Sequence, residues 1–365
     1  MKDASKVKSF PKLESYGEWK YVRWINSRVD SFKVWCGPLF HAIEEVVYED
    51  PHFIKHTPVP ERPAKVMALK RAGLRYFQTD FTSFEKHFTA EVQRNIEFVL
   101  YEELLPWLPA DDLKFLFSVL TGKNHLRTRV GVSAVVKARR MSGEMNTSLG
   151  NGFTNLMLAL FVAHEQGFDL DGFVEGDDGL FAVNGEITTQ MYAGLGFDIK
   201  IDEVDDPCEA SFCGMIFSRS GQIIRDPKRF LQTFGWTHSC IHAGDKVMNQ
   251  LLRAKALSAC YETPNCPIVG VIARKALDHT ANYAPRFVED GYHNTAMIPR
   301  DTLDLPKFAP DMSTRHLFAR KFKISIPEQL RAEAAIKAGN LNILADIVPS
   351  NAAVLRGYTH YVGVG

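Results

Sequence analysis

Hydrophobic and polar residues alternate in blocks along the 365-residue chain, and the period of each block separates helices from strands. Residues 38–50 (PLFHAIEEVVYED) space their apolar positions for a short helix beginning at Pro38. The proline-rich stretch 58–63 (PVPERP) predicts a rigid extended connector. Residues 73–81 (GLRYFQTDF) predict a buried strand ending at Asp80, with Thr82 or Ser83 placed to cap the next helix. That helix is expected to run through 91–105 (EVQRNIEFVLYEELL) and stop at the Pro106–Pro109 turn. Residues 127–140 (RTRVGVSAVVKARR) alternate as two strands, and 151–166 (NGFTNLMLALFVAHEQ) predict a long helix stopped by Gly167. Residues 173–183 (FVEGDDGLFAV) read as strand, turn, strand. A helix at 188–197, a strand from Ile199 and a hairpin over 211–224 follow. From about Asp226 the chain reads as mainly helical, most clearly over 329–339 (QLRAEAAIKAG). This succession of elements predicts an α+β fold.

Composition narrows the class without naming a chemistry. Hydrophobic residues make up 45% and charged residues 24%, the mixture of a soluble globular protein. The longest apolar run, LMLALFVA at 156–163, is too short to cross a bilayer, and the N-terminal MKDASKVKSF has no apolar signal-peptide core. Six cysteines without a CxxC pair suit free thiols in a reducing compartment. The segment 238–242 (HSCIH) alternates potential metal ligands, but three such residues on a strand face are more often structural. Formal net charge is zero, so bulk charge makes no case for a polyanion partner. Two segments depart from that average. Residues 1–33 carry Lys2, Lys6, Lys8, Lys12, Lys20, Arg23, Arg28 and Lys33 against four acids. Between Thr121 and Arg140 lie Lys123, Arg127, Arg129, Lys137, Arg139 and Arg140 with no acid. Either is a solvated face or a local contact to a polyanion.

Asp177 and Asp178 stand side by side between two apolar runs. Adjacent carboxylates raise each other's pKa unless a cation lies between them. A Gly-Asp-Asp alone is also an ordinary solvated turn. A two-metal site needs carboxylates that share cations about 3.5–4 Å apart, with substrate phosphate completing the shells. Mg²⁺ suits such a site because it takes few protein oxygens. Asp80 at one strand end, with Asp177 and Asp178 at a hairpin tip, would provide the ligands if the strands are neighbours.

Three segments in order, DFTSFE at 80–85, SGEMNTSLGN at 142–151 and GDD at 176–178, resemble motifs A, B and C of viral RNA-dependent RNA polymerases. The patterns are D-x4-D, S-G-x3-T-x3-N and G-D-D. The second likeness extends over 139–155 (RRMSGEMNTSLGNGFTN) and is greatest to the positive-strand group of tombusvirus-like, nodavirus-like and flavivirus-like enzymes. Residues 20–28 (KYVRWINSR) are similar to motif F, 195–201 (LGFDIKI) sit where motif D is expected, and 211–214 (SFCG) where motif E is.

The resemblance implies a right-hand polymerase with an antiparallel-sheet palm, partial fingers and a mainly helical thumb. It divides the chain into fingers at 1–69, palm at 70–104, a fingers insertion at 105–141, palm at 142–218 and thumb at 219–365. Family members usually carry a longer fingers region before motif F. By the same resemblance Asp80 and Asp177 bind both catalytic Mg²⁺ ions, with Mn²⁺ able to substitute, and Asp178 is a weaker ligand. Lys200 is the candidate general acid for pyrophosphate. Glu85, Ser142, Gly143, Thr147 and Asn151 face the nucleotide, the last two one helical turn apart. Glu85 stands where the family usually has Asp; the retained acid favours ribonucleotides. Lys20, Arg23 and Arg28 would meet the triphosphate, and the Thr121–Arg140 segment the template backbone. Implied partners are RNA template, nascent RNA, NTPs and other viral replicase proteins, and the implied location is host cytoplasm at membrane-associated replication complexes reached through partners. The alternatives are a non-catalytic RNA-binding replicase subunit and a DNA-synthesising polymerase.

Overall fold

The fold is taken from a computed structural model, which describes residues 3–12, 21–237, 240–287, 298, 300 and 302–347. The HSCIH segment therefore lies partly outside the described residues, and so does Lys20.

Strands β1 (Lys6–Pro11) and β2 (Trp24–Arg28) open the chain, followed by α1 (Asp30–Val47). This helix begins well before Pro38, the start expected from the sequence. Its buried residues Phe32, Cys36, Leu39, Phe40, Ile43 and Val47 keep helical spacing straight through the proline. Pro38 removes one bond to the carbonyl of Val34, a residue 76% exposed, where water can replace it. The expected connector at 58–63 is also helical: a 3₁₀ turn (Val59–Glu61) leads into α2 (Arg62–Ala68). Pro63 sits in the first turn, where a missing N–H costs little.

β3 (Arg75–Phe81) ends one residue beyond Asp80. Ser83 does not cap; it turns the chain through a left-handed φ of 54° into a 3₁₀ turn at Phe84–His87. The cap is Thr89, whose hydroxyl accepts from the Val92 N–H at 3.2 Å. The single helix expected over 91–105 is two, α3 (Ala90–Asn95) and α4 (Glu97–Leu104), separated at Ile96 with φ −118°. The step leaves the Glu97 carboxylate buried against Arg140. Then come α5 (Ala110–Leu120), β4 (Lys123–Thr128), β5 (Ser133–Lys137) and the long α6 (Thr147–Gln166). Gly167, with φ 69°, closes α6, and the Phe168 N–H returns to the Ala163 carbonyl at 2.9 Å. β6 (Leu170–Glu175), β7 (Asp178–Val183), α7 (Thr189–Gly194) and β8 (Ile199–Val204) follow. The remainder comprises β9 (Ile216–Phe217), β10 (Ile223–Ile224), α8 (Pro227–Thr233), α9 (Asp245–Glu262), α10 (Val269–His279), α11 (Met312–Phe322), α12 (Ile326–Lys337) and α13 (Ile343–Ile347). No helix of the described residues is long and apolar enough to cross a membrane, and the six cysteines are free thiols.

The chain divides into two compact units. The first takes the N-terminal residues up to Lys12 with Val22–Pro58 and Ala68–Cys213; the second takes Val59–Met67 and the chain from Gly214 on. The first holds two four-stranded sheets, in the orders β2-β1-β4-β5 and β6-β7-β3-β8. Helix α6 packs on β6 and β7. Its core joins Phe40 of α1, Phe81 and Phe84 around motif A, Leu156 and Leu158 of α6, and Phe181 of β7. The second unit is mostly helical around Ile224, Leu257, Ile268, Phe318 and Ile336. Within it, Arg315 makes a buried bidentate pair with Glu333 at 2.9 Å on both arms, and Glu333 also accepts from the Ile268 N–H at 3.2 Å. A buried pair of this kind adds little net stability over apolar replacements, but removing one partner strands the other's charge.

Candidate active site

In the β6-β7-β3-β8 sheet all neighbours are antiparallel, and register fixes which residues face one another. Glu175 pairs with Asp178, Asp178 with Asp80, and Asp80 with Lys200. Residues directly opposite in antiparallel strands point to the same face with Cβ atoms about 4.5–5.5 Å apart. Three acids and one lysine thus form a row across the four strands. Asp177 stands beside it, in the two-residue turn between β6 and β7. Gly176 has φ +63° and Asp177 does not share the positive sign, the pattern of a type II′ hairpin turn with glycine first.

The turn is held from α6. The Asn155 side-chain amide donates to the carbonyls of Gly176 at 3.2 Å and Asp178 at 3.1 Å. Asn155 is fully buried, and reading the sequence for function missed it. The available signal was an amide on the apolar face of a helix, one turn beyond Asn151.

The acids disturb one another electrostatically. Burial raises the Asp177 carboxyl above its ordinary value, Glu85 and Asp80 add to this, and Arg23 opposes it. Burial also raises Asp178, to about 7, with further pushes from Asp177, Asp80 and Glu175, while a hydrogen bond from Cys213 opposes. Both shifts come first from burial and then from neighbouring acids, and a cation shared by the carboxylates would favour their ionised forms. No three His, Cys, Asp or Glu side chains among the described residues converge as a ready metal cage. Mg²⁺ is bound typically by one or two carboxylates, with water and phosphate completing its octahedron, so this donor set fits it.

Of the other residues singled out from the sequence, Lys200 is brought beside Asp80 and is exposed. Glu85 is half-buried in the 3₁₀ turn after β3, close enough to act on Asp177. Arg23 is exposed and acts on the same carboxylate. Asn151 is buried, and its side-chain oxygen has no hydrogen-bond partner in the structure. Thr147 turns its hydroxyl back on the preceding loop, donating to the carbonyls of Met141 at 3.2 Å and Glu144 at 3.0 Å. Ser142 and Gly143 lie along the edge strand β2. The Ser142 hydroxyl donates to the Trp24 carbonyl at 3.0 Å and accepts from the Asn26 N–H at 3.2 Å, and the Gly143 N–H donates to the Asn26 carbonyl at 3.0 Å. A Cβ at Gly143 would stand 3.0 Å from that carbonyl and from the Ile25 side chain, so any larger residue requires β2 to give by a few tenths of an ångström.

Arg28 is not brought to the carboxylates. Its guanidinium is 1% exposed and pairs with Glu144 at 2.5 Å, and it also donates to the Ala4 carbonyl at 3.3 Å. Glu144 is in turn 3.8 Å from Arg140, which pairs with the buried Glu97. Glu97 accepts from the Tyr101 hydroxyl at 2.8 Å, and the Asn146 amide donates to that hydroxyl at 2.8 Å. Two cations and two anions are thus buried under the start of α6, tying β2 to the loop before that helix. None of Glu97, Tyr101, Glu144 or Asn146 was singled out from the sequence as functional.

Known proteins are similar to this chain in sequence and in fold. The family model described as viral RNA dependent RNA polymerase matches residues 120–343, more than half of the chain. The chain is 30% identical over 208 residues to the RNA-directed RNA polymerase of striped jack nervous necrosis virus, covering 53% of this chain and 21% of that protein. Among solved structures it is similar to the RNA-dependent RNA polymerase of a human picorbirnavirus, with TM-score 0.58, 14% identity, and coverage of 76% of this chain and 55% of that one. An insertion-loop deletion mutant of that enzyme gives TM-score 0.59 and 14% identity, over 92% of this chain and 64% of that one. These two likenesses carry the right-hand polymerase fold. The chain spans about a fifth of the length of its viral relative.

Two outcomes follow from the site. A carboxyl with a raised pKa keeps its proton in the folded state where the unfolded chain has released it. Stability of the metal-free protein is therefore greatest below the ordinary carboxyl value of 3.8 as far as Asp178 is concerned, and falls as pH rises toward about 7. At pH above that window, thermal unfolding without divalent cations should show Asp178→Asn melting several degrees above wild type, and added Mg²⁺ should narrow the gap. Arg28→Ala, which strands buried Glu144, should lower stability by about 3–5 kcal/mol in urea unfolding. An unchanged midpoint would remove the buried pair and leave Arg28 available for the triphosphate role expected from the sequence.

Proposed function

The chain belongs to the family of viral RNA-dependent RNA polymerases, and from that premise we propose that it joins NTPs to an RNA 3′ end under the direction of an RNA template. The observation that carries the reading is the row of facing acids, with Asp80 opposite Asp178 and Asp177 at the adjoining turn. Family members generally use divalent metals. Asp80 and Asp177, with Asp178 as the weaker ligand, would hold Mg²⁺, or Mn²⁺ in its place. When bound, the ions lower the pKa of the attacking 3′-hydroxyl and stabilise charge on the triphosphate and leaving pyrophosphate.

The chain's own residues do the rest. Arg23, with Lys20 beside it in sequence, draws the triphosphate toward the acids by charge. Lys200, exposed next to Asp80, donates a proton to pyrophosphate. Asn151 has an unfilled acceptor that a ribose hydroxyl would satisfy, and Glu85 provides the second contact to the sugar. Thr147 closes the start of α6 through its two carbonyl bonds, while Ser142 and Gly143 fasten the loop to β2. Arg28 supports that loop through Glu144 instead of meeting phosphate. In this reading the β6-β7-β3-β8 sheet is the palm, the β2-β1-β4-β5 sheet belongs to the fingers, and the helical second unit contains the thumb. Its partners are RNA, NTPs and other viral replicase proteins, at membrane-associated complexes in host cytoplasm.

The test is incorporation of labelled NTPs, and separately dNTPs, on a primed RNA template with Mg²⁺ or Mn²⁺. Wild type should incorporate NTPs in preference to dNTPs, and Asp177→Ala should lose on the order of a thousandfold in rate. Equal incorporation by the two proteins would remove Asp177 from the site. RNA binding without incorporation by wild type would favour a non-catalytic replicase subunit, and preference for dNTPs would favour DNA synthesis.

A further inference from the structure

Arg140 stands at the junction of the two elements that bear the sugar-facing residues. Counted from the sequence among the cations of 121–140, its side chain is instead buried at 1% exposure. The Arg140 backbone N–H donates to the Glu85 carbonyl at 3.2 Å. Its guanidinium lies 4.5 Å from the centre of the Phe88 ring, and Phe88 ends the 3₁₀ turn that carries Glu85. One residue thus holds that turn at both ends. The same guanidinium pairs with the buried Glu97 carboxylate and approaches Glu144 to 3.8 Å. The pair is laid directly on α6. A Cβ at Gly150 would stand 2.9 Å from Arg140 Cζ and 2.7 Å from Glu97 Oε2, so position 150 must be small for the pair to lie there. Gly150 immediately precedes Asn151. Glu97 also accepts from the side-chain amide of Asn146, the residue before α6, at 3.4 Å. The Nε and Nη1 donors of Arg140 make no hydrogen bond in the structure. A buried guanidinium with unfilled donors costs stability that an apolar side chain of similar size would not.

We infer that Arg140 is a positioning residue for sugar selection, fixing Glu85 and Asn151 relative to one another so that ribose is preferred to deoxyribose. The inference rests on the proposed contacts of those two residues to the sugar; Arg140 itself touches neither sugar nor metal. Glu85 comes from the turn after β3 and Asn151 from α6. Arg140 bonds to the first element and rests against the second. A hydroxyl held between two groups is read only while both stay within hydrogen-bond range. A displacement of about 1 Å at one of them forfeits most of the discrimination. Deoxyribose lacks the hydroxyl, so it gains nothing from the arrangement and loses nothing when the arrangement is disturbed.

The experiment measures kcat and KM for incorporation of CTP and of dCTP on a primed RNA template with Mn²⁺, for wild type and three variants. The double variant Arg140→Met with Glu97→Gln removes both charges of the pair and leaves Glu144 with Arg28, so that no buried ion is stranded. Gly150→Ala keeps every polar group and pushes the pair away from α6. Arg140→Lys keeps the charge. Circular dichroism and thermal unfolding establish that each variant is folded. The ratio of kcat/KM for CTP to that for dCTP should fall about tenfold or more in the double variant and in Gly150→Ala. The fall should come from a higher KM for CTP with dCTP little changed, and Arg140→Lys should retain more of the ratio than either. A merely structural pair would lower kcat for both nucleotides by one factor and leave KM and the ratio alone. That result, or unchanged kinetics throughout, in variants of a wild type that does discriminate, would overturn the role of Arg140 and leave the polymerase reading standing. Wild type that takes CTP and dCTP equally would overturn the sugar contacts, and wild type that takes neither the polymerase reading, and this inference would fall with them.

Discussion

The antiparallel pairing of β3 with β7 sets Asp80 opposite Asp178, and the rest of the first unit is organised around that repulsion. Like charges directly across a sheet are destabilising, and here a third acid, Glu175, extends the row while Asp177 adjoins it. Nothing in the folding of the sheet requires acids at these positions. Phe77 and Phe81 of β3, with Leu180, Phe181 and Val183 of β7, already bury the hydrophobic faces. The acids therefore cost the fold stability, as the upward shift of Asp178 to about 7 expresses. A divalent cation removes that cost, and its binding energy is realised where phosphate charge must be handled.

The support around the row is consistent with this. Asn155 spans the turn with two hydrogen bonds from a buried helix, so Asp177 is carried on a fixed hairpin tip. On the other side, β2 is fastened to the loop before α6 by the Ser142 and Gly143 contacts and by the Arg28–Glu144 pair. β2 begins one residue after Arg23, so the cation that acts on Asp177 leads directly into a strand tied to the helix bearing Asn151. Phosphate-handling and sugar-handling groups are joined through backbone and buried charge within one unit.

What could be read from the sequence was local. The three short acidic and polar segments keep their spacing in the chain, and strand–turn–strand over 173–183 follows from alternation around Gly176. Tertiary choices were less visible. Apolar spacing alone started α1 at Pro38, because a proline looks like a beginning; the buried Phe32 and Cys36 show that packing carries the helix through it. The three prolines at 58–63 suggested extension, whereas a fixed φ near −65° also suits a first helical turn. Arg28 looked identical in kind to Arg23, and only the fold distinguishes an exposed guanidinium from one spent on Glu144. Arg140 and Glu144 are a local i,i+4 pair, but Glu97 joins them from 43 residues away, where no local pattern announces it. The meeting of two basic segments on one sheet depended on a parallel pairing of β1 with β4 that the sequence does not declare.

In the proposed function, Asp80, Asp177 and Asp178 share a divalent cation. The most direct measurement replaces Mg²⁺ with Fe²⁺, generates hydroxyl radicals in place with ascorbate and peroxide, and maps the backbone cuts by mass spectrometry. Cuts are expected beside residue 80 and within 176–178, suppressed by excess Mg²⁺ and absent from Asp177→Asn. Cuts that cluster elsewhere, or that persist unchanged in the variant, would contradict it.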